Sequence, residues 1–140
     1  MNKFLRLRNL ALICFVALAL APPAVPGQAA PDNSKVLGSW DVEIYAEGQY
    51  FNLILVMEEA EGKLAGTISE KMGMFTDSPL TNVRFDGTTL AFEISVSSPP
   101  DGLVKTWAVE AVVGEEVMEG TVSNAELGMS ATLSATRTKK

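Results

Sequence analysis

The chain has no histidine and only one cysteine among its 140 residues. Without histidine there is no Ser-His-Asp triad, no Cys-His pair, no histidine metal site and no imidazole switch near neutral pH. Aromatic residues make up 7% and charged residues 20%, and no window carries the 3.6-residue period of an amphipathic helix. The longest apolar run, Leu10 to Ala21, falls short of the roughly 20 residues that span a bilayer. The length corresponds to one domain.

That apolar run follows Lys3, Arg6 and Arg8, and Gly27-Gln28-Ala29 offers small residues at both positions a signal peptidase reads. Residues 1–29 are therefore expected to be a secretory signal peptide cut after Ala29. Residues 30–37 form a leader segment and 38–138 the domain. A retained anchor is the competing reading. Lipidation at Cys14 is disfavoured because Ile13 before it is not small. Loss of the three signal-peptide cations leaves eight basic residues against 17 acidic ones, a net charge near −9. Such a chain repels nucleic acid and anionic membrane surfaces. It is expected to be exported, to the periplasm or beyond, with no stable membrane span after cleavage. Because the lone cysteine, Cys14, lies in the expected signal peptide, the core has to hold without a disulfide.

Turn signals recur at short spacing: Glu47-Gly48, Glu61-Gly62, Asp86-Gly87, Pro99-Pro100-Asp101-Gly102, Val113-Gly114 and Leu127-Gly128. Between them the apolar residues alternate with polar ones, as in Trp40, Val42 and Ile44 or Leu90, Phe92, Ile94 and Val96. This is the pattern of many short half-buried strands. Eight are expected, at 39–45, 50–58, 63–69, 80–85, 88–97, 103–113, 116–123 and 128–138. Leu64-Ala65-Gly66-Thr67-Ile68-Ser69 returns 54 residues later as Met118-Glu119-Gly120-Thr121-Val122-Ser123, and in the same register Leu53 aligns with Trp107 and Leu55 with Val109. Two equivalent hairpins fit an all-β, eight-stranded antiparallel up-and-down meander barrel. The two echoing glycines face inward. They either relieve crowding where strands coil tightly or leave room for a ligand.

Gly38-Ser39-Trp40 at the start of the first strand, with Arg137 late in the last, resembles the calycin superfamily of lipocalins, fatty-acid-binding proteins and avidins. Gly62-Lys63-Leu64-Ala65-Gly66-Thr67 is similar to the third strand of avidin-like barrels. The resemblance implies a barrel closed at one end by Trp40, with Arg137 packed across it in a cation–π contact. Two motifs depart from those families. Thr76-Asp77 is followed by Ser78-Pro79 rather than x-Tyr, and Val42 stands where an avidin has the asparagine that binds biotin. The chain also resembles exported bacterial β-domains of unassigned role, found alone or beside secreted hydrolases.

The expected function is non-enzymatic. Glu43, Glu93 and Glu110 alternate with core residues and point outward, so no carboxylate pair faces across a cleft. The acidic turns lack the spaced Asp-x-Asp pattern of a calcium loop, and no cofactor or metal site is expected. The leading reading is a cup holding a small apolar ligand, lined by Phe51, Leu53, Phe92, Ile94, Trp107 and Met129 under a lid of Met72, Met74 and Phe75. Apolar contact alone would bind it, since no charged residue is expected on the inward face away from the closed end. The alternative is an accessory or interaction domain with a filled core, acting through its surface on an unidentified protein partner.

Overall fold

The computed structural model describes residues 31–139; the expected signal peptide lies outside them. The strands are β1 (Gly38–Ala46), β2 (Gln49–Ala60), β3 (Lys63–Glu70), β4 (Ser78–Pro79), β5 (Thr81–Phe85), β6 (Thr89–Ser98), β7 (Leu103–Val113), β8 (Val117–Asn124) and β9 (Met129–Arg137). They form one antiparallel sheet in the order β4-β3-β2-β1-β9-β8-β7-β6-β5. The first and last long strands pair directly, Trp40 opposite Arg137 and Ile44 opposite Leu133. The sheet thus curls into an up-and-down barrel that is nearly closed, an architecture compatible with a calycin-like barrel.

There are nine strands where eight were expected. The expected strand at 80–85 is β5, which pairs with β6, Phe85 opposite Leu90. The ninth strand, β4, lies just before it, between the expected strands at 63–69 and 80–85, and pairs with β3 instead, Ile68 opposite Ser78; Leu80 separates the two. Pro79 has no N–H to offer a ladder, which confines it to an edge or a strand end. The Leu80 amide donates to the Gly66 carbonyl at 3.0 Å, the last bond before the chain changes partner. Asn82 adopts φ +51°, and a register shift lies between Thr81 and Arg84. The β4–β5 segment is the seam of the barrel.

Inward positions hold the core. Trp40, Val42, Leu53, Leu55, Met57, Ile68, Leu90, Phe92, Ile94, Val109, Met118 and Leu133 are all buried. The 54-residue echo persists in the pairing. Met57 faces Gly66 between β2 and β3, and Ala111 faces Gly120 between β7 and β8. A Cβ added at Gly66 would strike the Val56 carbonyl oxygen, and one added at Gly120 the Glu110 carbonyl oxygen. The two carbonyls are themselves 54 residues apart. These glycines therefore allow close approach of neighbouring strands, and they open no space.

The leader crosses the closed end. The Trp40 indole N–H donates to the Val36 carbonyl at 2.9 Å, and Val36 is fully buried. The Arg137 guanidinium carbon lies 4.2 Å from the Trp40 ring centroid. The guanidinium donates to the Leu37 carbonyl at 2.6 Å and the Lys35 carbonyl at 2.8 Å. Gly38 takes φ +104°, and a Cβ there would sit 3.4 Å from Arg137 Nη1. The glycine of Gly-x-Trp thus turns the chain into β1 while leaving room for the arginine.

Candidate functional site

Two regions carry the residues read as functional: the barrel interior and the mouth end opposite Trp40. Leu53, Phe92 and Ile94 are buried in the core, while Phe51, Trp107 and Met129 are half-buried nearer the mouth. A void of about 10 Å³ lies in the interior, lined by residues including Val42, Ile68, Phe92, Met118 and Leu133. That is room for one water at most. Of the residues expected to line a cup, only Phe92 borders it. The expected lid divides as well. Phe75 packs on the core, whereas Met74 is 45% and Met72 92% exposed.

The expectation of an uncharged inward face is corrected by β3. It runs one residue further than expected, which turns Glu70 inward, only 5% exposed. Its carboxylate accepts the Met72 amide at 2.8 Å and the Met74 amide at 3.1 Å. The sequence shows this only in hindsight: Asn124 stands 54 residues on, and there the side-chain oxygen accepts the Leu127 amide at 2.9 Å. The echo thus extends one position past the stretch read from sequence. In each half a buried polar residue ends the strand and ties down the next mouth loop. Asn124 Nδ2 is buried and has no partner among the described residues. The Trp107 indole donates to the Ser98 hydroxyl at 2.8 Å, and Lys105 reaches the Ser98 carbonyl at 3.3 Å and the Asp101 carboxylate.

The role of Glu70 is testable. Glu70→Ala should leave two loop amides without an acceptor, at a cost of about 1–3 kcal/mol. Amide exchange at Met72 and Met74 should accelerate while the Trp40 region stays protected. Glu70→Gln, which keeps an acceptor oxygen, should restore most of that protection.

Outside the barrel, the mouth end is the apolar one. Tyr45 and Tyr50 flank the β1–β2 turn, Met72 and Met74 lie in the β3–β4 loop, Leu103 and Val104 open β7, and Leu127 lies in the β8–β9 loop; all are exposed. Of the large exposed apolar side chains among the described residues, only Ile54, Val112 and Val117 lie elsewhere. The turns at the other end carry Glu58, Glu59, Glu61, Asp86, Glu115 and Glu116.

No protein family, curated protein or solved structure matches the chain.

Among the described residues no three histidine, cysteine, aspartate or glutamate side chains gather to hold a metal ion. Glu43 and Glu110 are exposed on the outside. The groups with displaced titration are surface aspartates held by local donors. Asp86 is lowered by the Thr89 and then the Thr88 amide, Asp101 by Lys105 and then the Leu103 amide, Asp41 by Lys71, and Asp32 by Ser34. Each binds a proton less readily folded than unfolded. Its contribution is complete above the ordinary aspartate value near ~3.9 and is lost as pH falls through the depressed one. With no histidine to titrate, the melting temperature should be level from about pH 5 to 8 and fall below about pH 4. Thermal melts across pH check this, and a step near pH 6.5 would contradict it.

Proposed function

We propose that this chain is an exported, non-enzymatic, calycin-like barrel whose core is filled by its own side chains and which binds through its outer surface. The observation that carries this reading is the 10 Å³ interior void. Pockets that take small molecules are roughly 300–1,000 Å³, so an acyl chain or similar apolar ligand would have to displace packed core residues. The glycines that could have hollowed the barrel are instead overlaid by neighbouring backbone. The apolar side chains left without cover gather on the mouth-end loops, and exposed apolar patches of this kind are where proteins are contacted.

A fluorescent fatty acid added at micromolar concentration should show no saturable uptake and leave Trp107 emission unchanged. Saturable binding with a Trp107 response would replace this reading with that of a ligand cup lined by Phe51, Trp107 and Met129.

A further inference from the structure

Tyr45 and Tyr50, the chain's two tyrosines, face each other across the β1–β2 hairpin. Their ring centroids are 4.8 Å apart and their planes meet at 46°. They are 46% and 63% exposed, and neither hydroxyl bonds to another side chain or to backbone among the described residues. On the same outer face the next pair toward the closed end is Glu43 opposite Asn52. On the adjoining strand Thr132 stands beside Tyr45 and Ser134 beside Glu43. At ordinary strand spacings this grid is about 10 Å wide and 7 Å long.

The polar groups of the grid are unengaged. The side chains of Glu43, Asn52 and Thr132 make no hydrogen bond among the described residues. Outer polar groups elsewhere on the barrel are mixed: Asp41 holds Lys71, Asn82 holds Glu93 and Ser95 holds Thr106, whereas Glu110 opposite Thr121 on β7 and β8 is as open as the grid. Two tyrosine rings, packed on each other and partly exposed, thus sit on a sheet beside a free carboxylate, a free amide and free hydroxyls. Tyrosine supplies rigid amphipathic area at low entropic cost, and the flanking groups offer both donors and acceptors. The ligand chemistry that matches is a chain of rings with apolar C–H faces and hydroxyl edges. Net negative charge and the unpaired Glu43 disfavour an acidic polymer.

We propose that Tyr45 and Tyr50, with Glu43, Asn52 and Thr132, form a binding platform for an uncharged β-linked polysaccharide, whose equatorial hydroxyls leave flat C–H faces to stack on the rings. This rests on the reading of the barrel as a surface-binding domain. The tilt between the rings suits a twisted single chain better than a flat crystalline layer.

The test is affinity electrophoresis of the full chain in native gels containing hydroxyethylcellulose or mixed-linkage β-glucan, with dextran as the α-linked control. At least one β-glucan should retard the protein, and dextran should not. Tyr50→Ala should weaken retardation at least tenfold, Tyr50→Phe should keep it, and Val112→Ala, an exposed apolar truncation elsewhere, should not change it. Should Tyr50→Ala fold poorly, Tyr50→Leu keeps apolar cover without a ring and should lose binding too. The proposal is overturned if neither β-glucan retards the wild type, if Tyr50→Ala and Tyr50→Leu are retarded as strongly as wild type, or if the tyrosines govern only self-association in gels without polymer. Uptake of the fatty-acid probe would overturn the filled-barrel reading instead, so the two failures are distinguishable.

Discussion

Replacing Trp40 by alanine should destabilise the barrel by about 3–5 kcal/mol, the range for truncating large buried aromatics. Trp40 has no exposed surface, and it donates to the carbonyl of Val36, which is itself fully buried. Its loss therefore removes core volume, leaves that carbonyl unpaired and takes away the ring under Arg137. Arg137→Ala should cost less, because its guanidinium works at the half-exposed edge. Part of each effect is shared: the cation–π term is worth ~0.5–2 kcal/mol and should appear as coupling in a double-mutant cycle. Denaturant unfolding of the four proteins measures it. Additivity within error would mean that Arg137 acts through its bonds to the Leu37 and Lys35 carbonyls and gains nothing from the ring.

Gly120→Ala should be nearly as damaging, at about 3 kcal/mol, the upper part of the usual overpacking range. The new methyl would meet the Glu110 carbonyl and lie 2.6 Å from Ala111 Cα. Both are backbone of the neighbouring strand, so no rotamer change relieves the clash and β7 must move off β8. Gly66→Ala meets the Val56 carbonyl, but its other close neighbours are the side-chain ends of Leu80 at 3.0 Å and Met57 at 3.1 Å, which can give way. It should be the milder of the two. Equilibrium unfolding again decides. A gain in stability at Gly120, as expected of glycine replacement without strain, would show that the strands have room to part.

The strands were legible because a barrel buries one face of each, and the alternation of apolar and polar residues records that directly. The Trp40–Arg137 placement was legible because a meander returns its last strand to the side of its first. The extra strand before Leu80 was not, since a change of partner is a tertiary event and Pro79 alone reads as a loop. Glu70 was missed for a related reason. A glutamate at a strand end looks like the start of a solvated loop, and only the two amides it receives make its burial tolerable. Nor could sequence decide whether the inward glycines hollowed the barrel. A missing side chain reads the same whether space or a neighbouring carbonyl fills its place. The tyrosine pair was not singled out from sequence, because its contact and its polar surroundings depend on register and on which strands lie alongside.

Because β9 lies against β1, both ends of the described chain emerge on one side. Arg137 reaches back to Lys35 and Leu37, and the Thr138 amide donates to the Ser39 carbonyl at 2.9 Å. Anything joined to either end, whether a linker, a surface anchor or a second module, is thereby attached at the Trp40 side. The barrel would then stand on its closed end like a post, presenting its loops and the tyrosine hairpin outward, and fusion at either terminus would leave that display unobstructed.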